Sequence, residues 1–275
     1  NARKKSWKLP GVKTKRTVDV VLNSLVAPVW SFPYGTSAFE TNMIKIREVT
    51  QAFRRSIKGE INPSAYFRKN LDLFANIRPA RTYDGVPYKS VSPFDLVVVR
   101  ENTEGFYADR NMAQGNAEIL VTEDVVVSMR RITRQACARV AKAAFDLAAR
   151  RKKHVSIVHK ANVLRLGDGM FIEECHKAGR EYPDVRVDDF IVDAMMAHVV
   201  RAPGKFDVIV TTNMFGDILT DLTAELSGSL GLGGSLNAGA DYAMAQASHG
   251  SAPDIAGQNK ANPFSLTCPP PCSFC

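Results

Sequence analysis

Two aspartates four residues apart, Asp217 and Asp221, are the sharpest chemical signal in this 275-residue sequence. The apolar spacing over residues 215–226 predicts a helix, so both carboxylates leave from one face. Like charges at that spacing repel by a few tenths of a kcal/mol, on the order of 0.2–0.5. A hard divalent cation such as magnesium or manganese would offset them, since it favours carboxylate and water oxygens. An ordinary Asp-x-x-x-Asp pair is a solvated acidic face; here Phe215, Ile218, Leu219 and Leu222 leave little of the segment free for one. Asp193 follows a predicted strand and opens the helical pattern 194–200, so it reads as a third ligand or as an N-cap.

Arg68, Arg78 and Arg100 form a second group. Arg78 precedes a proline and Arg100 ends a predicted strand, neither an ordinary surface-helix position. A planar guanidinium binds carboxylates bidentately, and several would be needed for a di- or tricarboxylic acid; scattered surface arginines are the competing reading. Lys160 and Tyr107 are candidate proton carriers, the lysine only if burial or a neighbouring cation lowers its pKa. The loop His-Gly-Ser-Ala-Pro-Asp-Ile-Ala-Gly at 249–257 is rich in small residues that let a ligand approach the backbone, and it carries one carboxylate, Asp254. An acid beside a ribose accepts from its hydroxyls and repels a 2′-phosphate, which favours NAD over NADP. The glycines at 228, 231, 233 and 234 follow a predicted helix with the wrong spacing for a dinucleotide fingerprint, so a standard site of that type is rejected.

The elements that must position these groups alternate between two periods. Short β-branched runs at 96–99, 155–158 and 208–210 read as buried strands, each followed by a polar cluster, with a less regular strand around Val185, Val187, Ile191 and Val192. Ile132, Ala136, Val140, Ala144 and Ala148 recur every fourth residue and predict a helix that ends in the basic run 150–153, where cations suit the dipole. Further helices are predicted over 170–178 and over 215–226, the latter with Asn213 available as a cap. An apolar stretch at 18–29 and a helical pattern at 44–57 precede them. This alternation predicts an α/β fold, and open α/β sheets place their sites at strand ends.

Composition excludes several classes. Seven of the net eight positive charges precede the first acid, Asp19. The basic character therefore belongs to an N-terminal arm, expected to be a solvated tail rather than a nucleic-acid or membrane surface. No run approaches the ~18 apolar residues of a membrane span, and the arm lacks the apolar core of a secretory signal. Of five cysteines, Cys137 and Cys175 fall in helical patterns as core residues. Cys268, Cys272 and Cys275 crowd a Pro-rich end without a zinc spacing. The body of the chain reads as intracellular, cytoplasmic or in the mitochondrial matrix.

Taken together, six segments resemble the isocitrate/isopropylmalate dehydrogenases, the β-decarboxylating dehydrogenases. They are Leu-Phe-Ala-Asn-Ile-Arg-Pro at 73–79, Val-Arg-Glu-Asn-Thr-Glu-Gly at 99–105, His-Lys-Ala-Asn-Val-Leu at 159–164, Val-Asp-Ala-Met at 192–195, Asn-Met-Phe-Gly-Asp-Ile-Leu-Thr-Asp at 213–221, and the loop at 249–257. The resemblance implies an isopropylmalate-dehydrogenase-like two-domain α/β fold, a mixed sheet flanked by helices and incomplete at both ends. Residues 1–75 and 229–275 would form the cofactor side and 76–228 the central part. It also implies that Arg68, Arg78 and Arg100 clamp substrate carboxylates, while Asn62 and Ser64 face the substrate's variable group. Asp217 and Asp221 would hold magnesium or manganese, with Asp193 supplied by the second subunit of a homodimer. Tyr107 and Lys160 would handle protons, the lysine again crossing from the partner. His249, Gly250, Ser251, Ala252, Asp254, Ile255 and Asn262 would bind NAD. The reaction implied is oxidation of a 2-hydroxy acid followed by loss of carbon dioxide. The polar Asn62 and Ser64 and the segment 100–104 resemble isocitrate- or tartrate-type members more than isopropylmalate enzymes; isocitrate, homoisocitrate, tartrate and malate stay open.

The sequence departs from the family in three places. No Pro-Gly-Asp-Gly-Ile-Gly segment precedes Asn62, family-like helices do not follow Pro263, and Gln246 stands where relatives often carry glutamate. From this the chain alone is expected to be weakly stable and nearly inactive. The alternative function is a non-catalytic partner subunit or an inactive truncated form of such an enzyme.

Overall fold

The computed structural model describes residues 25–28, 63–107, 117–248, 253–255, 257–260, 262 and 265. The basic arm, the helical pattern at 44–57, Asn62, His249, Gly250, Ser251, Ala252 and the cysteines of the tail lie outside the described residues. In chain order the strands are β1 (Leu25–Pro28), β2 (Ala75–Arg81), β3 (Asp95–Glu101), β4 (Glu118–Thr122), β5 (Val125–Ser128), β6 (His154–His159), β7 (Arg186–Ile191), β8 (Val208–Thr211), β9 (Gly234–Ala238) and β10 (Tyr242–Ala247). The helices are α1 (Pro63–Asn70), α2 (Arg134–Ala149), α3 (Arg165–Gly179), α4 (Val192–Arg201) and α5 (Asn213–Leu226).

Eight strands form one mixed sheet in the order β1-β10-β9-β2-β3-β8-β6-β7. Strands β3, β8, β6 and β7 run parallel, and the β1-β10-β9-β2 side, with the β2–β3 join, is antiparallel. The inner parallel strands β3, β8 and β6 are buried along most of their length because both sheet faces are covered, whereas edge strand β7 is more exposed. Val97, Val99, Val155, Ile157, Val208 and Val210 pack with Val140, Ala144 and Phe145 of α2 and Phe171 of α3. Leu96, Val98, Val158 and Ile209 pack on the other side with Met195 and Val199 of α4 and Leu219 of α5. The expected architecture, a mixed sheet flanked by helices, is the one found. Strands β4 and β5 form a separate two-stranded hairpin.

Several expected boundaries shift. Helix α2 starts at Arg134, capped by the Thr133 hydroxyl, which accepts the N–H of Ala136 at 3.2 Å. Helix α3 starts at Arg165, ahead of the apolar pattern at 170–178. Helix α5 starts at Asn213 itself, so Asn213 is not its cap; its amide serves Arg100 and the Glu104 carbonyl instead. Asp193 is not a cap either: α4 begins at Val192 and Ile191 occupies the cap position without a side-chain bond. Ile218, read above as closing off the acidic face, is 56% exposed.

Strand β2 was not foreseen, because Ala-Asn-Ile-Arg-Pro-Ala-Arg lacks strand periodicity. Its Pro79 is tolerated because β2 pairs with β9 only over Ala75–Ile77, leaving the proline's edge unpaired on that side. Cys137 and Cys175 are buried core residues as expected, and burial pushes the Cys137 thiol up to about 12. No helix among the described residues is long and apolar enough to cross a membrane.

Candidate active site

The polar clusters lie at the carboxyl ends of the parallel strands and beside β2, where the sheet changes from antiparallel to parallel. Arg100 is the penultimate residue of β3, which runs on to Glu101, and has only 1% of its surface exposed. A buried guanidinium must spend its donors on acceptors. Nε and one terminal nitrogen donate to the Asn213 side-chain oxygen at 2.8 and 2.6 Å, and the other terminal nitrogen pairs with Asp217. Gly216 on α5 makes this possible: a Cβ there would meet Arg100 Cγ at 2.6 Å, so only glycine lets the arginine lie against the helix.

Arg78 of β2 approaches the same helix from the neighbouring strand. It donates from Nε to Asn76 Oδ1 at 2.8 Å and from a terminal nitrogen to Thr220 Oγ1 at 2.9 Å; Asp221 lies 3.5 Å away and Asp217 3.7 Å. Burial, reinforced by the Arg100 charge, lowers its pKa to about 10 against the pull of the two aspartates. The Tyr107 hydroxyl donates to Asp217 Oδ2 at 2.9 Å. Arg78, Arg100, Tyr107, Asp217 and Asp221 therefore form one constellation.

The two aspartates are shifted in opposite directions. Burial raises both, but at Asp217 the Arg100 charge, the Tyr107 hydroxyl and Arg78 outweigh it and hold the carboxyl below its ordinary value. At Asp221 burial and the Asp217 charge win over Arg78, and the carboxyl sits above it. Both present oxygen donors of the kind hard cations take, so the pair fits magnesium or manganese as a partial ligand set. Among the described residues no group of three or more His, Cys, Asp or Glu converges to hold a metal; any third protein donor must come from elsewhere.

The other predicted residues are placed apart. Lys160, just past β6, pairs with Asp193 on α4 at 2.5 Å, with the lysine side chain 26% and the aspartate 70% exposed. Arg68 on α1 is buried and lines a cleft of about 270 Å³ shared with Asn102, Thr103, Glu104 and Arg131. Ser64 donates to Gln246 Oε1 on β10 at 3.1 Å, which ties the α1 end to the departure from the family noted at that glutamine. Asp254 and Asn262 are exposed and Ile255 is partly buried.

Sequence reasoning missed the buried amides that orient the arginines. Asn76 donates to Ser235 and to Asn237 at 2.7 and 2.9 Å, and Asn102 donates to the same Asn237 oxygen at 3.1 Å. Asn76 and Asn102 stand inside the matched segments, so a signal existed. Asn237, in an unforeseen strand, offered none.

A family profile described as isocitrate/isopropylmalate dehydrogenase matches residues 40–268. The 3-isopropylmalate/3-methylmalate dehydrogenase of Methanocaldococcus jannaschii is 45% identical over 71% of this chain and 58% of its own length. The mitochondrial isocitrate dehydrogenase [NAD] catalytic subunit 5 of Arabidopsis thaliana is 42% identical over 76% of this chain and 54% of its own. A crystal structure of isocitrate dehydrogenase from Methylococcus capsulatus superposes with a TM-score of 0.67 at 43% identity, over 74% of this chain and 59% of that one. The chain thus spans somewhat over half the length of these relatives.

Proposed function

The chain belongs to the isocitrate/isopropylmalate dehydrogenase family, and from that premise we propose that the protein oxidises and decarboxylates a small 2-hydroxy di- or tricarboxylic acid, using NAD with magnesium or manganese. The observation that carries this reading is the cluster of Arg78, Arg100, Tyr107, Asp217 and Asp221, which joins anion-binding guanidiniums, hard oxygen donors and a phenol around one helix face.

In this reading Asp217 and Asp221 hold the cation, completed by Asp193 of the partner subunit. Arg68, Arg78 and Arg100 orient the substrate carboxylates, and Asn62 and Ser64 face the variable group. His249, Gly250, Ser251, Ala252, Asp254, Ile255 and Asn262 bind the adenosine half of NAD. When bound, the cation supplies Lewis acidity and the nicotinamide a hydride acceptor. Lys160 of the partner subunit accepts the hydroxyl proton, directly or through water, and Tyr107 returns a proton to carbon. Asp217 aims the phenol through its 2.9 Å bond.

Exposed apolar surface supports a homodimer. The β4–β5 hairpin exposes Ile119, Leu120, Val121, Val125, Val126 and Val127, and an isolated two-stranded hairpin is marginal in water unless covered. A C2 pair covers identical patches on both subunits. Relatives named for isopropylmalate and for isocitrate match at nearly equal identity, so the leaning toward isocitrate- or tartrate-type acids rests on Asn62, Ser64 and residues 100–104. The mitochondrial name of the Arabidopsis relative supports a site of action inside the cell.

A panel of isocitrate, homoisocitrate, tartrate, malate and isopropylmalate, with NAD and manganese and absorbance of the reduced nicotinamide as readout, tests the proposal. With family-like ends restored to the chain, turnover of an acid with a polar substituent is expected. Turnover of isopropylmalate alone would contradict the substrate assignment.

A further inference from the structure

Asp168 is a carboxylate with no exposed surface, in the first turn of α3. A charge taken fully out of water is costly unless both oxygens are paired, and an acid at that position has an ordinary use: capping its own helix or favouring its dipole. Asp168 does not cap its helix. Leu164 occupies the cap position of α3 with no side-chain bond, and both Asp168 oxygens are spent on groups outside the helix. Oδ2 accepts the backbone N–H of Lys160 at 2.6 Å, and Oδ1 accepts from Arg130 at 2.6 Å.

The consequence falls on Lys160. Its N–H is held by a buried charged acceptor, and its carbonyl accepts the N–H groups of Val163 and Leu164 at 2.9 and 2.8 Å. The following N–H, of Ala161, is taken by His159 Nδ1 at 3.2 Å. The peptide on both sides of the lysine Cα is therefore fixed, and only the side chain can move. Arg130 refers this anchor to the rest of the site. Its second bond is to Thr212 Oγ1 at 3.3 Å, at the start of α5, and its guanidinium lies 5.9 Å from the rings of Phe106 and Phe215, next to Tyr107 and on the aspartate-bearing helix.

We propose that Asp168 is a positioning residue for Lys160: its buried carboxylate, braced by Arg130, sets the backbone from which the lysine amine reaches the hydroxyl proton that it accepts. The proposal rests on the reading of Lys160 as proton carrier. Misplacement of a reacting group by about 1 Å can cost on the order of a hundredfold in rate, so the charge buried at Asp168 has a functional reason that helix capping does not supply. Asparagine at 168 keeps the shape but can present only one acceptor oxygen, with its NH2 turned toward a donor.

The test uses the full chain, with amide exchange of the peptide spanning Lys160 and steady-state kinetics on the acid that the panel selects. Asp168→Asn is expected to speed exchange of the Lys160 amide at least about tenfold while α2 and the rest of α3 stay protected. It should also lower kcat on the order of 10- to 100-fold with KM nearly unchanged. In a Lys160→Ala background the same substitution should cost nothing further. Unchanged exchange at Lys160, or equal losses in both backgrounds, overturns the proposal. Full activity of Lys160→Ala would remove the proton-carrier reading instead, and the exchange result would still decide whether Asp168 fixes that backbone. If the variant fails to fold, the unmodified chain decides: the Lys160 amide must exchange as slowly as the interior amides of β6, and fast exchange there refutes the anchor.

Discussion

The Arg78–Arg100–Asp217 cluster and the Lys160–Asp193 pair contain the same kinds of groups but are held in opposite ways. In the first, each guanidinium is buried and bonded from several elements at once, and Asp217 accepts from Arg100 and Tyr107 together. In the second, one cation meets one anion near the surface, with Asp193 mostly exposed. A single chain preorganises the first cluster completely. The second has a fixed backbone and a side-chain pair open to exchange, as a group would be if its working partner lies on another molecule. An exposed pair of this kind contributes little to stability, so it breaks readily when a ligand or a subunit offers better contacts.

The largest expected effect separates the two regions directly. Asp217→Asn should abolish tight manganese binding, measured by calorimetry, and should also lower stability by about 1–3 kcal/mol because buried Arg100 loses a charged acceptor that is itself part-exposed. The burial of Arg100 is what couples the metal pair to the fold. Asp193→Asn should weaken manganese binding as severely while leaving the melting temperature nearly unchanged. Equal stability losses for both variants would erase the distinction between the clusters.

A second, smaller effect is in pH. Asp221 is held above its ordinary value, by burial first and then by the Asp217 charge, whereas Asp217 is held below its own. On acidification Asp221 therefore protonates first, and manganese affinity should begin to fall above the ordinary carboxylate value near 4, while Asp217 is still ionised. Stability follows the other aspartate. A lowered folded pKa stabilises fully above the unfolded value and is lost as pH falls through the folded one. The melting-temperature gap between the unmodified chain and Asp217→Asn should accordingly narrow as pH falls below the ordinary carboxylate value. A gap that widens in acid would contradict the assignment of the charge to Asp217.

The smallest effect concerns the exposed Asp254. NAD should outperform NADP, and Asp254→Lys should narrow that preference on the order of tenfold by replacing a repulsive charge near the 2′-phosphate with an attractive one. Equal use of both cofactors by the unmodified protein would refute the role.

The sequence was most informative where one physical constraint acts alone. Buried parallel strands need apolar residues on both faces, so β3, β6 and β8 were legible, and the fourfold stripe through Ala136, Val140, Ala144 and Ala148 marked the buried face of α2. The spacing of Asp217 and Asp221 carried over to geometry because one helix fixes it. What stayed hidden depends on distant pairing. Strand β2 mixes small, polar and proline residues that become a strand only between β3 and β9. Asn213 reads as a cap until a buried arginine claims its oxygen. Asp168 lies outside the helix that the sequence predicts at 170–178, and its role shows only when its two oxygens are followed to Lys160 and Arg130.

The central claim, that the two regions complete each other across subunits, is tested by co-expressing Asp193→Asn and Asp217→Asn chains and titrating the mixture with manganese. Each variant alone should have no tight site. With random pairing, half of the dimers are hybrids and each hybrid has one centre with all its aspartates, so the mixture should recover about a quarter of the unmodified site number. Recovery near that fraction is the predicted result. No recovery, with hybrid dimers demonstrated in the same sample, would contradict a shared site.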